Sequence, residues 1–484
     1  MVDLKYLVMY NLYIKITKCK YLVLCGLYAF DIRCVFMKFY LLKMKVFGVK
    51  NIDKEIVLNF YKQTLSKTID YENYNVKAIY GTNGAGKTAL ISAVDLYKKY
   101  CTDPSFLVIG NSNGSLQYII NQKTKTMRIS MTFVIINDKD EIRKAFEHVV
   151  EIGFINGRYC VKEEILNEIK GARVNTGRIE NIFHIKNGAL ENYSGTEKNK
   201  ELLVELTKNL LFDKSFENVL VENIDKIDNV IDDYHWLFIA NLFAKSLTVV
   251  LNSEDHNYID YFDTMKQVKV IKKQKDLFNN KDEFINILSR ESFLKDDSVF
   301  VGKDDFDSYK SQIDGMFRFL KVFKNDLLKI RIDKDETGSG YACKLVLEYE
   351  DGRNISRIYE SAGIKKLMSI YYALCNVENG GIVFIDEFDA NIHDVILTKL
   401  IEYIKKYTQG QFVFTTHNLG PMDVLQHYKN SIDFISDDSE IISWAKVGNS
   451  PAAKVYRRGL IKHSPFNIEP FSFMGVFIGD DANE

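Results

Sequence analysis

Apolar and polar residues change rhythm repeatedly along this chain, and each change predicts an element. From Met37, MKFYLLKMKVFGVKNIDKEIVLNF alternates closely enough to predict two strands over 39–60 around a turn near Asn51. NVKAIY, at 75–80, reads as a short buried strand that enters a glycine-rich loop and then a helix. Across 128–160, the stretches RISMTFVII and HVVEIGFING predict an antiparallel flap. From Ser194, with Glu197 completing a capping box, Leu203, Leu206 and Leu210 fall at helical spacing, and amphipathic helix is expected to continue to about 330. Of five prolines, Pro421, Pro451, Pro465 and Pro470 fall near the end, which leaves the long middle almost without helix breakers. Strands then follow, punctuated by Gly338-Ser339-Gly340 and Asp351-Gly352 as in a meander. Helices at 363–376 and 394–407 finally alternate with strands at 381–386 and 411–416. The fold class is therefore α/β, with an antiparallel flap and a helical middle.

Composition narrows the function. With 46% hydrophobic and 27% charged residues the 484-residue chain is an ordinary globular protein, which excludes disordered and collagen-like classes. Sixty-four basic against sixty-five acidic side chains leave a net charge of −1, so contact with DNA or an anionic membrane would have to be a local patch. The run Lys266, Lys269, Lys272, Lys273 and Lys275 is the best local candidate for DNA phosphate. It lacks interleaved aromatics and is followed by Asp296, Asp297, Asp304, Asp305 and Asp307, so a solvated helical face is the preferred reading. The longest uncharged run of residues 1–36, Tyr21 to Phe30, is too short to span a bilayer, and no A-x-A-like cleavage site accompanies it; an over-extended or unstructured start is expected there, with no membrane association. Cys19, Cys25, Cys34, Cys101, Cys160, Cys343 and Cys375 are scattered, odd in number and without a C-x-x-C pair, which argues against a disulfide framework or zinc site and for a reducing, cytoplasmic setting.

Three strings carry chemistry. Gly81-Thr82-Asn83-Gly84-Ala85-Gly86-Lys87-Thr88 fits G-x-x-x-x-G-K-[ST] between a predicted strand and a predicted helix. Its glycines let backbone N–H groups face a triphosphate, Lys87 neutralises the β/γ oxygens and the Thr88 hydroxyl ligates Mg²⁺. Ile382-Val383-Phe384-Ile385-Asp386-Glu387 places two carboxylates at the carboxyl end of a buried strand, Asp386 for the Mg²⁺ shell and Glu387 to orient and deprotonate the attacking water. Gln411 to Thr416 is a further buried strand, whose polar end sets His417 within reach of the γ-phosphate.

The order GTNGAGKT, ESAGIKKL, GIVFIDEFDANIH, FVFTTHN, with the tail YRRGLIKHSPFNIEPF, resembles the ABC-type ATPases of the OLD/RecF/SMC group, specifically the AAA-type ATPases of bacterial phage-defence (abortive infection) operons. The resemblance covers roughly 39–110 and 330–470. It implies an ABC-type P-loop ATPase head, a mixed sheet with helices on both faces plus an antiparallel lobe, divided into an N-terminal lobe at 37–160, a helical insertion at 161–330 and a C-terminal lobe at 331–484 with signature, acidic strand and switch histidine. It further implies that Ser361 and Gly363 cap the γ-phosphate of an ATP bound to the opposite subunit, so that complete sites form in a homodimer or higher homo-oligomer. Asp389 and His393 match the acidic extension and the histidine before the next helix. The Mg²⁺-sensing glutamine corresponds to Gln122 or Gln117. Ile364 and Asp394 depart from the family pattern, and FGVKNI lacks its asparagine–phenylalanine–arginine string, leaving Lys50 as only a weak nucleotide contact.

No nuclease site is visible after His417. The expected role is an ATP-binding and hydrolysing sensor that controls a separate nuclease or toxin effector in response to a phage-derived trigger. A RecF-like ATPase acting directly on DNA, and a slowly hydrolysing ATP-dependent scaffold, are the alternatives.

Overall fold

The computed structural model describes residues 38–107, 110–171, 177–227, 231, 234–251, 298–338, 340–446 and 451–459. The N-terminal segment 1–36, the lysine run 266–275 and the closing tail 460–471 lie outside the described residues.

In chain order, β1 (Lys38–Phe47), β2 (Ile56–Asn59) and β3 (Val76–Gly81) lead into helix α1 (Lys87–Thr102). Then come β4 (Thr126–Ile136), β5 (Ile142–Ile155), β6 (Arg158–Lys170), β7 (Arg178–Lys186) and β8 (Ala189–Tyr193). Helices α2 (Glu197–Thr207), α3 (Phe216–Val221) and α4 (Ile239–Ser246) precede β9 (Leu247–Val250) and β10 (Val299–Gly302). The remainder comprises α5 (Phe306–Lys321), β11 (Leu327–Thr337), β12 (Gly340–Tyr349), β13 (Asn354–Ser356), α6 (Ala362–Glu378), β14 (Ile382–Ile385), α7 (Asp394–Tyr407), β15 (Gln411–Thr415), β16 (Ile432–Ile435) and β17 (Ile441–Ser443).

These strands form three sheets. Seven antiparallel strands run β2-β1-β4-β5-β6-β7-β8, and β2 alternates buried and exposed residues as expected of a sheet with one wet face. The second sheet runs β17-β16-β3-β15-β14-β9 and is parallel except for β17. Every residue of β3, β14, β15 and β16 is buried, because one apolar cluster covers one face of this sheet and a second covers the other; that is why these strands read as continuous apolar runs. Lys77 is tolerated inside β3 because its ammonium pairs with Asp433 of β16 at 2.8 Å. The third sheet is the predicted meander β10-β12-β11, with β13 also on β12.

The helical reading of the middle fails at several places. The stretch after 160 instead completes β6 and supplies β7 and β8, β9 enters the parallel sheet beside β14, and β10 joins the meander. The absence of proline permits a helix but does not select one over a strand, and register shifts at Glu151/Ile152 and Leu166/Asn167 interrupt the alternation that would have marked β6 and β7 as strands. The capping residue also moves: Thr196, not Ser194, caps α2, its hydroxyl accepting the Asn199 amide at 3.3 Å.

Helix α1 is fastened to the antiparallel sheet by a buried polar chain. Tyr97 Oη lies 2.9 Å from His148 Nδ1, His148 Nε2 lies 3.2 Å from Glu164 Oε1, and Glu164 Oε2 accepts from Tyr100 Oη and the Phe216 amide, each at 2.9 Å. The glycine-rich loop is therefore followed by a helix held to the antiparallel sheet and to the start of α3. Among the described residues no helix is long and apolar enough to cross a membrane.

Candidate functional site

The glycine-rich loop owes its shape to its neighbours. Gly81 closes β3 so near β16 that a Cβ there would sit 2.6 Å from the Ile435 carbonyl oxygen. Gly84 and Gly86 have φ of +81° and +108°, left-handed values that side-chain-bearing residues rarely adopt. Gly86 is the N-cap of α1 and supplies no side-chain cap, so the first-turn amides of Lys87, Thr88 and Ala89 have no intrahelical acceptor; no acidic residue occupies that turn. These amides and the helix dipole form a cradle for an anion. Lys87 is buried and donates to the carbonyls of Gly81 at 3.0 Å and Thr82 at 2.9 Å. Asn83 is exposed beside Gly84, Ala85 is buried beneath the loop, and Thr88 is half-buried on the first turn.

The acidic strand ends against the same loop. Asp386 is buried, donates its amide to the Val250 carbonyl at 2.8 Å and accepts the Thr415 hydroxyl on Oδ1 at 2.5 Å. Glu387 leaves the strand at φ +44° and is half-buried, while Phe388 packs inward against Phe412 and Phe414. His417 follows β15, exposed at the sheet edge, with its amide donating to Asp389 Oδ2 at 3.3 Å.

Electrostatics ties these pieces together. Burial lowers the pKa of Lys87, opposed by the carboxylates of Asp386, Glu387, Asp389 and Asp437. Partial desolvation lowers the pKa of His417, assisted by the Lys87 ammonium and opposed by Asp389, Glu387 and Asp386. One lysine, one histidine and three carboxylates thus act on one another at the carboxyl edge of the parallel sheet, where ligands of open α/β sheets bind.

Ser361 and Gly363 open helix α6, which Gly363 packs against the turn after Asp389. Ser361 is exposed and caps α6, accepting the Ile364 amide at 3.3 Å, and a Cβ on Gly363 would approach the Asn391 carbonyl oxygen to 2.9 Å. His393 caps α7 through the Val395 amide, and Asp394 accepts from Asn418. Gln117 and Gln122 are both exposed, near the bridge between Val49 and Ile120. Lys50 lies in the same turn, but its neighbour Asn51 reaches the loop, donating to the Gly84 carbonyl at 2.5 Å.

Sequence reasoning missed Asn51, Asp437 and Thr415. Asp437 accepts the Thr82 hydroxyl at 2.5 Å, and Thr415 bridges the acidic pair. Only Thr415 had a usable signal: a hydroxyl inside a wholly buried strand must find a partner.

Residues 210–423 match the family described as "AAA domain, putative AbiEii toxin, Type IV TA system", a span that includes Ser361, Asp386, Glu387 and His417 and lies beyond the glycine-rich loop. No curated protein matches the chain. Among solved structures, the Smc head domain of Pyrococcus furiosus, with an extended coiled coil and bound to the C-terminal domain of ScpA, is 15% identical and covers 84% of this chain and 96% of its own at a TM-score of 0.36. The Smc head domain of Pyrococcus yayanosii, with a coiled coil and joint, is 13% identical, covering 87% and 100% at a TM-score of 0.40. The SMC head domain from Thermotoga maritima is 14% identical, covering 83% and 98% at 0.28. Over residues 210–423 the chain is thus similar to AAA domains of the abortive-infection type, and that stretch holds the acidic strand and His417.

Proposed function

We propose that the protein binds ATP with Mg²⁺ at the edge formed by β3, β14 and β15 and hydrolyses it there. The observation that carries this reading is the convergence of Lys87, Asp386, Glu387, Asp389 and His417 on one electrostatic cluster beside an uncapped helix N-terminus. The amides of Gly84 to Thr88 and the Lys87 ammonium hold the phosphates, with Lys87 exchanging the Gly81 and Thr82 carbonyls for phosphate oxygens. The Thr88 hydroxyl and the Asp386 carboxylate are hard oxygen donors of the kind Mg²⁺ takes alongside phosphate and water. When bound, the ion would neutralise charge on the β- and γ-phosphates. Glu387 orients and deprotonates the attacking water, and His417 hydrogen-bonds the γ-phosphate.

Ser361 is exposed at the start of α6, which leaves its face accessible to the nucleotide of a second subunit. The chain then works as a nucleotide-gated homodimer or higher oligomer. The abortive-infection match over 210–423 supports a defence role in which its nucleotide state controls a separate effector. Lys87→Ala tests the binding step: it should abolish ATP binding by calorimetry, and wild-type affinity in that variant would remove the loop from the site.

A further inference from the structure

The strand that ends at His417 carries a second functional group. Thr415 is the last residue of β15 and is completely buried, and its hydroxyl lies between the two residues on which the proposed hydrolysis depends. Its Oγ1 donates to Asp386 Oδ1 at 2.5 Å and accepts the Glu387 amide at 2.8 Å. The bookkeeping is closed: a threonine hydroxyl has one proton, a carboxylate only accepts and an amide only donates, so both ends of the Thr415 hydroxyl have fixed roles. Its own carbonyl takes the next amide, that of Phe388, at 3.0 Å. Thr415 therefore receives two successive amides where the chain leaves β14 and Glu387 turns to φ +44°, a left-handed conformation that needs support from its surroundings. The adjacent Thr416 is equally buried, yet its hydroxyl serves only its own turn, accepting from the Asn418 amide at 3.0 Å.

We propose that Thr415 is a positioning residue for ATP hydrolysis, one hydroxyl fixing both the Asp386 carboxylate that faces the metal and the backbone turn that presents Glu387 to water. Tying Oδ1 leaves Oδ2 of Asp386 for the metal shell, and holding the Glu387 amide sets where its carboxylate starts. Outer partners of this kind orient the groups they hold without touching substrate. A valine would fill the same space and satisfy the strand pattern; only the hydroxyl distinguishes it.

The inference rests on the proposed roles of Asp386 and Glu387, and the test separates the two. In the full chain, Thr415→Val, Thr415→Ser and Glu387→Gln are compared with wild type for steady-state hydrolysis and for binding of a fluorescent ATP analogue, with Mg²⁺ and in EDTA. Thr415→Val should lower kcat by about 10- to 100-fold and shrink the affinity gained on adding Mg²⁺ by roughly tenfold. Its binding in EDTA and its KM should stay within about threefold of wild type, because the loss falls on orientation and not on the phosphate cradle. Thr415→Ser, which keeps the hydroxyl, should match wild type within about threefold in every readout. Should the valine variant fail to fold, Thr415→Ala against Thr415→Ser supplies the same contrast. Normal turnover and a normal Mg²⁺ response in Thr415→Val, with Glu387→Gln inactive, would overturn the Thr415 role alone. Equal damage in Thr415→Ser and Thr415→Val would also overturn it, by assigning the effect to packing. Wild-type turnover in Glu387→Gln would instead remove the reading on which the inference stands.

Discussion

The Gln411 side chain and the Leu41 backbone form a reciprocal pair: Oε1 accepts the Leu41 amide at 2.6 Å and Nε2 donates to the Leu41 carbonyl at 2.8 Å. Leu41 stands where β1 shifts register against β4, and Gln411 opens β15 in the parallel sheet. One buried side-chain amide thus completes the hydrogen bonding of a backbone irregularity and joins the two sheets. Gln411→Leu would deprive both Leu41 groups of their side-chain partner, and urea unfolding should report a loss of roughly 2–6 kcal/mol, at about 1–3 kcal/mol per orphaned group. A change below about 0.5 kcal/mol would mean that the pair contributes orientation without stability.

Lys405 supplies a pH signature far from the nucleotide edge. It is buried, with its ammonium 3.0 Å from Asn75 Oδ1 and 4.0 Å from the centre of the Tyr428 ring, and burial brings its pKa from 10.5 down to about 8. The folded pKa is depressed, so the cost of burying the charge is fully present below pH 8 and fades as pH rises towards 10.5. Relative to Lys405→Met, the wild type should therefore gain about 2 kcal/mol between pH 7.5 and pH 9.5. Paired denaturation curves at the two pH values measure it; a difference that stays flat or falls would contradict the burial argument.

The sheet edge proposed to hold the nucleotide was legible in the sequence because its strands are buried on both faces. Continuous apolar runs ending abruptly in Asp386-Glu387 or His417 mark both the strand and its functional end, and the same physics placed the glycine-rich loop after β3. Residues 161–193 were misread because their cues are weaker: bulges interrupt the alternation, and the buried positions include Glu164, whose carboxylate is held by Tyr100 and the Phe216 amide from distant segments. β9 was hidden for a different reason. Four residues, Leu247 to Val250, are too short for a periodic signal and become a strand only by pairing with β14. Asn51, Thr415 and Asp437 escaped because each owes its place to a contact made across the fold.

The exposed start of α6 makes the two-subunit reading testable. Ser361→Arg removes the hydroxyl that accepts the Ile364 amide and sets a bulky cation on the face expected to meet a second nucleotide, so ATP binding should remain near wild type while hydrolysis falls at least about tenfold and ATP-dependent association is lost. Light scattering with and without ATP, beside a phosphate-release assay, decides it. Normal hydrolysis in this variant would contradict completion of the site by a partner.

The central claim is that Glu387, held at the end of β14 beside Lys87 and His417, is the base for ATP hydrolysis. The most direct measurement is phosphate release by Glu387→Gln against wild type at saturating ATP and Mg²⁺, with nucleotide affinity measured on the same preparations. The account predicts unchanged affinity and a rate lower by roughly 10²–10⁴-fold; hydrolysis by Glu387→Gln at the wild-type rate would contradict it.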